Sequence, residues 1–556
     1  MEAQTKTSEQ RRRLKDLKHE ANSWLDHWRD IAEHMLPQKG RYLSGDDTSE
    51  NNDGKKKHQK IINGSANDAL RIIAAGMQGG LTSPSRPWFV LSLADEELRE
   101  YAPVREWLHT VRQILLHIFS RSNFYSSVHG MYKELAAFGT SAMFIEEDFQ
   151  SVIRCRPMTI GEYFVALDHT YRPSVLYRQY AMTASQLVEK YGEKAVSEAV
   201  LTAFKHGSKE TKFNIVHACE PRSGMNPKRK DAPGMAYRSM YFELNCDPDR
   251  VLKDAGYKMR PFVAPRWDVT GVDAYGSCPG MDSRGDVKML QKMEADKLKA
   301  LAKMVDPPMN APSSMKGKGG TIVAGGVNYV DVGQGMQGFV PAYQVNPNLQ
   351  NMAFEIDRVE QRIRRYFFND LFLAILNNEH TMTATEVAKR HEEKMLMLGP
   401  VLERLQHELL DPVIDRVFTI AQDLDVLPPP PKELQGMDIK VEYISLLAQA
   451  QKMIGTTAIE QTAAFVGNLA AVNPEVLDKF DMDEAVDQYA DMVGVPPRII
   501  RSDDKVAEIR AAKAERAQAA EMMQNAGALA QGAKVMSDTR MNQNSALDVL
   551  MGNPRQ

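Results

Sequence analysis

Apolar side chains recur every three or four residues in the first part of the chain, which predicts amphipathic helices. One series runs from Leu14 to Met35 and ends at Pro37, because a proline ring cannot continue a helix. Two further series predict helices over about 63–80 and over 104–118. β-Branched and aromatic runs between turn-forming residues predict strands within 138–148, 151–168, 174–182 and 212–220. The first 270 residues are therefore expected to form a mixed α+β unit.

The spacing of Thr183 and Gln186 predicts a capping box, in which each side chain bonds the other residue's backbone N–H at the start of a helix.

In the middle of the chain, two helices of similar length are predicted on either side of a segment rich in glycine, proline and serine. The first covers 286–305 and stops at Asp306, since a residue before proline avoids helical angles. The second begins near 348 and has an apolar face that includes Leu349 and Ile363. The pattern indicates a helical hairpin that carries a small β-containing module at 306–347.

A long helical pattern then runs from Ala384 to about Leu424. Pro400 and Pro412 lie inside it, so we expect one break and one kink. The four prolines at 428–431 are typical of a rigid spacer. Small packed helices over 440–500 and an alanine-rich helix from Asp503 onward are predicted to complete the chain.

Charge and composition change this picture little. The 556 residues are 43% hydrophobic and carry a formal net charge of −4, which excludes a protein that wraps nucleic acid through overall basicity. We therefore expect any contact with DNA to be local or weak. The sequence shows neither a signal-peptide core nor an apolar run of about 18 residues, which favours a soluble intracellular protein without membrane contact. The four cysteines form no CxxC pair and are expected to be packing residues.

The stretch GMQGGLTSPSRPWF at 76–89 is the strongest candidate for chemistry, and it fails each test. A phosphate-binding P-loop needs a lysine after its last glycine, and none is present here. A nucleophilic serine of the GxSxG type is also missing. The carboxylates at 146–148 could be imagined as a magnesium site, but neighbours on a strand point to opposite faces. The sequence predicts no catalytic residue, no metal and no cofactor.

Several strings, in their order along the chain, resemble the portal (head-to-tail connector) proteins of short-tailed tailed bacteriophages. One departure is Leu446, where the family pattern has a proline, which puts only the local turn in doubt. The strings are AAGMQGGLTSPSRPWF (74–89), FGTSAMFIEED (138–148), AYGSCPGMDSRGDVKMLQKM (274–293), TMTATEV (381–387) and VEYISLLAQAQK (441–452).

The resemblance implies an α+β, helix-rich ring subunit, and a ring normally of twelve copies at one capsid vertex of the virion, assembled in the host cytoplasm. The expected divisions are a wing at 1–270, a first stem helix at 271–305, a clip at 306–347, a second stem helix at 348–376, a tunnel loop at 377–383, a long kinked wing helix at 384–428, a crown at 429–502 and a helical tail at 503–556. Double-stranded DNA would pass through the channel. The other implied partners are the major capsid protein, the terminase packaging motor and tail adaptor proteins.

The resemblance also assigns roles to individual residues. The tunnel loop would meet DNA through Asn377, Asn378, Glu379, His380 and Thr381. The clip would present Lys316 and Lys318 to docking partners. A structural segment of the wing would consist of Pro84, Arg86, Pro87, Trp88 and Phe89.

Two alternatives stay open from the sequence. One is an enzyme such as a nuclease or the packaging ATPase, which the missing nucleotide and metal motifs disfavour. The other is a different ring-forming or scaffolding virion protein. A channel through which DNA slides needs a weak, mixed or negative lining, because a strongly basic one would hold phosphates. The net charge suits such a channel.

Overall fold

A computed structural model describes most of the chain up to residue 444 and three stretches beyond it, 462–470, 479–493 and 505–516, with a few scattered residues. The larger parts outside the description are 44–59, 245–250, 306–308, 311–339, 342–347, 377–396 and 435–438. Single positions in 94–100 and 226–230 are also outside it. The chain forms two compact units, Met1–Thr457 and Ala458–Gln556.

The main helices of the first unit are α1 (Glu2–His34), α2 (Ser65–Leu81), α3 (Ala102–Arg121), α4 (Phe124–Phe138), α5 (Ala184–Tyr191), α6 (Glu198–Lys205), α7 (Arg284–Val305), α8 (Leu349–Tyr366), α9 (Asn369–Leu376) and α10 (Asp411–Asp423). In the second unit, α11 covers Met482–Val493, and Asp483 forms an ion pair of 2.6 Å with Arg510. No helix among the described residues is long and apolar enough to cross a membrane.

The strands form small antiparallel sheets. They are β1 (Phe89–Leu93), β2 (Ala142–Asp148), β3 (Val152–Met158), β4 (Tyr163–Leu167), β5 (Pro173–Thr183), β6 (Lys212–Pro221), β7 (Tyr237–Glu243), β8 (Val251–Tyr257), β9 (Phe262–Val263), β10 (Met309–Asn310), β11 (Val340–Pro341) and β12 (Ile439–Tyr443). The largest sheet has the order β4-β5-β6-β7-β8, and a second has the order β3-β2-β9. β1 pairs with β12, and β10 pairs with β11.

Most elements predicted from periodicity are present. α1 ends just before Pro37, and α7 stops at Val305 as expected. The capping box is confirmed, because Thr183 accepts from Gln186 N while the Gln186 side chain accepts from Thr183 N. The strand expected within 138–148 begins only at Ala142, since Phe138 ends α4 and Gly139 follows with a left-handed φ of 78°. A Cβ at Gly139 would lie 1.9 Å from Gly276 O, so a side chain has no room there.

One apolar core runs through most of the first unit. It contains residues of the predicted wing, of both hairpin helices and of the long helix, among them Trp28, Leu70, Val287, Ile363 and Val417. A smaller second core lies where α5 and α6 pack on the large sheet. Because the hairpin bases contribute to the main core, the hairpin is packed into the body of the first unit at this end.

The long helix contains a π turn instead of a simple proline kink. Residues 397–405 are helical, Gln406–Leu410 form the π turn, and α10 follows with Pro412 in its first turn. Proline has no N–H to donate and its ring crowds the carbonyl four residues earlier, so a wider turn before it relieves both problems. Of the break and the kink expected from Pro400 and Pro412, the structure describes this π turn before Pro412, while Pro400 lies within the helical residues 397–405 and 384–396 lie outside the described residues.

Candidate functional site

The glycine-rich stretch is helical, and this decides its role. Gly76 and its neighbours up to Leu81 belong to α2, so their N–H groups point along the helix toward preceding carbonyls. An anion-binding loop needs free N–H groups that converge on the ligand. The stretch therefore does not form a phosphate cradle, in agreement with the sequence analysis.

Gly76 instead makes room for a neighbouring helix. A Cβ at this position would lie 2.3 Å from Cδ1 and 2.5 Å from Cβ of Phe372, a residue of α9. Phe372 is fully buried in the main core. The absence of a side chain at Gly76 thus allows α9 to pack directly on α2, and α9 ends at Leu376, one residue before the predicted tunnel loop.

The rest of the stretch anchors a two-stranded sheet. Trp88 and Phe89 are fully buried, as expected of packing anchors, and Phe89 begins β1. The Trp88 ring stacks on Tyr443 of β12 at 6.5 Å between centroids, with 9° between the planes. Pro84, Arg86 and Pro87 are exposed, and the Arg86 guanidinium donates to Gly79 O at 3.2 Å. Ser83 Oγ lies 2.9 Å from Ser85 Oγ.

The chain bends sharply between α8 and α9. Phe368 has a φ of 52°, a left-handed conformation that is unusual for a bulky side chain. The adjacent Asn369 is buried, and its Oδ1 has no hydrogen-bond partner among the residues that the structure describes. Leu371 N and Phe372 N both donate to Phe368 O at 3.1 Å, which starts α9 directly after the bend. The bend therefore fixes the direction in which α9 leads to residue 377.

A polar junction ties the hairpin to α2. The Gln291 side chain of α7 accepts from Ile62 N and Asn63 N and donates to Asn63 O, at 2.7–2.9 Å. Asn63 Nδ2 donates to Glu360 Oε1 of α8 at 2.7 Å and to Glu294 Oε1 of α7 at 3.2 Å. One short loop before α2 thereby holds both hairpin helices at their base.

A buried ion pair holds the π turn. Glu408 lies in this turn and accepts from Arg266 N at 2.9 Å and from the Arg266 guanidinium at 2.6 Å. The same guanidinium donates to Tyr171 O and Asp273 O, so three loops and the long helix meet at one buried side chain. Arg404, one turn earlier, donates to Trp267 O at 3.0 Å.

The carboxylate groups with a metal-like arrangement already have other partners. Asp30, Glu33 and His34 lie within ligand distance of one another. However, Asp30 pairs with Lys288 at 2.6 Å, and Glu33 pairs with Lys60 at 2.5 Å.

The cluster at the end of β2 has partners of its own. Glu146 pairs with Arg156 at 2.8 Å, and Asp148 accepts from Ser151 Oγ at 2.6 Å. Both acidic clusters are therefore explained by interactions within the chain.

The described cysteines are poor nucleophiles. Cys155, Cys219 and Cys278 are buried and form no disulfide, and burial raises the pKa of each thiol. A buried neutral thiol has little thiolate at neutral pH. Ser239 Oγ lies 2.8 Å from His217 Nε2, but both side chains are buried, so this serine–histidine pair is closed off from solvent and from a substrate.

Several residues named from sequence lie outside the described residues. They are the predicted tunnel-loop residues Asn377, Asn378, Glu379, His380 and Thr381, and the predicted clip residues Lys316 and Lys318. Of the predicted clip, the structure describes β10 and β11, which pair Met309 with Pro341 and Asn310 with Val340. Sequence reasoning missed Asn63, Gln291, Arg266 and Glu408, because polar residues that bind one another across hundreds of positions leave no local pattern.

Fold and site together define a helix-rich α+β protein whose conspicuous features, among the described residues, are packing contacts. The family model described as "Bacteriophage head to tail connecting protein" matches residues 7–500. The chain is 41% identical to the probable portal protein of Bordetella phage BPP-1 over 538 residues, 96% of each chain. It is also 41% identical to the portal protein of Salmonella phage epsilon15, over 99% of this chain and 98% of that one.

The chain belongs to the bacteriophage head-to-tail connecting protein family. The resemblance found in the sequence is thereby confirmed, as is the α+β class. A solved structure from the virion of a native gene transfer agent particle also aligns, over 78% of this chain and 90% of that one, with a TM-score of 0.34 and 10% identity.

Proposed function

We propose that this chain is a portal subunit, which forms a ring channel at one capsid vertex and joins the head to the tail. Double-stranded DNA would be packaged and ejected through this channel. The observation that carries the proposal is the 41% identity, over nearly the whole length, to two proteins named as portal proteins. A role as a structural connector, without ATPase or nuclease activity of its own, agrees with this relationship.

The hairpin supports assembly into a ring. It exposes large apolar side chains on both helices, with Leu298 at 51%, Val305 at 85% and Phe354 at 61% exposure. Apolar side chains grouped on one element favour burial against another molecule. Identical subunits that use two different faces close into a ring when the rotation between them allows it. We propose a closed ring of twelve copies in the virion.

The clip and the wing are proposed to meet the other components. The clip, with Lys316 and Lys318, would dock the terminase motor and later the tail adaptors, since it is inserted between the hairpin helices. The wing and crown would contact the major capsid protein. The divisions at 270, 305, 347, 376, 383, 428 and 502 remain predictions.

The tunnel loop is proposed to guide DNA. It contains one carboxylate and one imidazole but no lysine or arginine, so it can approach phosphates without holding them. The described structure supplies a support for it, because α9 is packed on Gly76 immediately before residue 377. An ordinary helix–helix connection is the competing interpretation.

The test combines electron microscopy with DNA packaging. Purified protein should form rings in micrographs, and a monodisperse monomer at micromolar concentration would contradict the proposal. Rings with Glu379→Lys and His380→Lys should assemble normally but package DNA more slowly, most clearly at low salt, because added cations hold phosphates. Normal packaging by these rings would show that the loop does not meet DNA.

A further inference from the structure

The hairpin helices differ in charge from the rest of the chain. α7 and α8 together contain ten lysine and arginine residues and six aspartate and glutamate residues, a local net charge of +4. The whole chain has a formal net charge of −4, which leaves −8 on the remainder. Positive charge is therefore concentrated on one element of the fold.

Much of this charge lies on a single face of α7. At 100° per residue, Lys288, Lys292, Lys299 and Lys303 fall within an arc of about 80°, and Asp296 is the one acidic residue in that arc. We call these four lysines the lysine stripe. At 1.5 Å per residue the stripe is about 22 Å long.

The ion pairs along the stripe do not neutralise it. Lys292 and Lys299 share Asp296, with N–O distances of 3.2 and 3.7 Å, and their side chains are 70% and 69% exposed. Two cations face one carboxylate there, and exposed pairs of this kind contribute little energy. Lys288 pairs with Asp30 of α1 at 2.6 Å. The other α7 carboxylates are engaged away from the stripe, Asp286 with Arg362 and Glu294 with Lys297.

The composition of the stripe favours phosphates over a protein partner. Protein interfaces are depleted in lysine and enriched in aromatic residues, and the stripe contains lysine without any aromatic residue. Lysines have long, flexible side chains and are typical of sequence-independent contacts to the phosphates of a nucleic acid. Their positive field extends about one Debye length, roughly 8 Å at physiological salt.

We propose that the lysine stripe is a contact surface for the phosphate backbone of double-stranded DNA. This inference rests on the proposed function, because DNA reaches the hairpin only if the chain forms a channel. It modifies the expectation of a weak or negative lining, since the hairpin supplies weak but positive contacts. Lys292 and Lys299 bind and release phosphates readily, because they are exposed and a phosphate competes with Asp296 for them.

The test measures DNA binding by assembled rings over a series of salt concentrations. The variant Lys292→Glu with Lys299→Glu reverses the charge in the exposed middle of the stripe. Removal of two phosphate-binding lysines should reduce the slope of log K against log salt by about 1.8 for each subunit that binds DNA. A second variant, Lys292→Gln with Lys299→Gln, keeps the side chains long and should give a change of the same sign. This glutamine variant is used for the salt series if the charge-reversed variant does not assemble into rings.

The matched control is Lys194→Glu with Lys205→Glu, which changes the same charge on exposed residues near α6. The slope of log K against log salt for this control should stay within about 0.5 of the wild-type slope. This difference is well below the change expected when one lysine no longer binds a phosphate. Equal slopes for stripe and control variants, or no DNA binding by wild-type rings at low salt, would overturn the inference. The same variants are also tested for binding of a poly-glutamate peptide. If the stripe substitutions lower the affinity of the rings for this peptide more than their affinity for duplex DNA, the stripe binds an acidic protein, and the inference is overturned.

Electron micrographs of the same samples separate this inference from the proposed function. If the wild-type protein forms no ring, the proposed function fails. If rings form and the slopes do not differ, only the lysine stripe fails.

Discussion

The close approach of Phe372 to Gly76 makes a sharp prediction about a single methyl group. Alanine at position 76 would place its Cβ 2.3–2.5 Å from Cδ1, Cγ and Cβ of Phe372. Rotation of the ring cannot relieve the overlap with Phe372 Cβ, so the backbone of α9 must move. Overpacking of this kind costs about 1–3 kcal/mol. Alanine gains about 1 kcal/mol of helix propensity over glycine. Because the overlap involves three atoms, we expect Gly76→Ala to destabilise the protein by about 1–2 kcal/mol.

Gly130 provides the matched control. It lies inside α4, and a Cβ there would meet nothing within 4 Å. Gly130→Ala should therefore stabilise the protein by about 0.5–1 kcal/mol. The assay is the thermal unfolding midpoint at one scan rate and one protein concentration. Shifts in the same direction for both variants would refute the steric argument.

A second substitution tests the partner directly. Phe372→Ala alone should cost about 3–5 kcal/mol, as for other buried phenylalanines. In the Gly76→Ala background it should cost about 1–3 kcal/mol less, because the truncated side chain removes the overlap. Additive effects of the two substitutions would show that Gly76 and Phe372 do not meet. In packaging assays, Gly76→Ala rings should also differ from Gly130→Ala rings if α9 supports the DNA-guiding loop.

Two further predictions concern buried polar groups. Arg266→Met should destabilise the protein by about 3–5 kcal/mol, since it leaves the largely buried Glu408 carboxylate (13% exposed) without its cation, and adding Glu408→Met should recover part of that loss in the unfolding midpoint. An unchanged deficit in the double variant would contradict this pairing. Burial, with Arg178 and Lys190 nearby, holds the pKa of His217 well below its usual value, so the folded state resists a proton that the unfolded state accepts below pH 6.5. Stability should fall as pH decreases from 6.5, with a contribution from this residue of up to about 1.4 kcal/mol per pH unit, and His217→Gln should flatten that decrease in unfolding curves at pH 5–7.

Local pattern predicted the elements whose cause is local. α1, α3 and α7 follow from apolar spacing and proline, and the capping box at Thr183 follows from two residues three positions apart. β1 and β12 were missed, and the small helices predicted over 440–500 are wrong at their start, although IKVEY of β12 alternates apolar and polar residues as a strand does; the pairing joins Phe89 to Tyr443 across the chain. α4 was also missed, although Phe124, Val128, Met131, Leu135 and Phe138 recur at steps of three and four and are buried together.

The residues of the candidate site also differ in whether their role depends on local sequence or on distant partners. Burial of Trp88 and Phe89 could be expected from two adjacent aromatic residues after prolines. The partner of Gly76 could not, because a glycine indicates that space is needed without indicating what fills it. Arg266 and Glu408 are 142 positions apart, and only the π turn brings the carboxylate to the guanidinium.

The charge of the whole chain is a poor guide to the lining of a channel, and the hairpin shows why. A net charge of −4 suggests weak contact with DNA, yet α7 and α8 carry +4 between them. Only the residues that face DNA enter the counterion balance, since charges farther away than about 8 Å are screened. A ring also repeats each side chain once per subunit, so a stripe that is weak in one copy acts many times around the channel. DNA can still slide through such a ring, because the stripe lysines are exposed and phosphates compete with Asp296 for Lys292 and Lys299, so a phosphate released by one subunit is bound by the next.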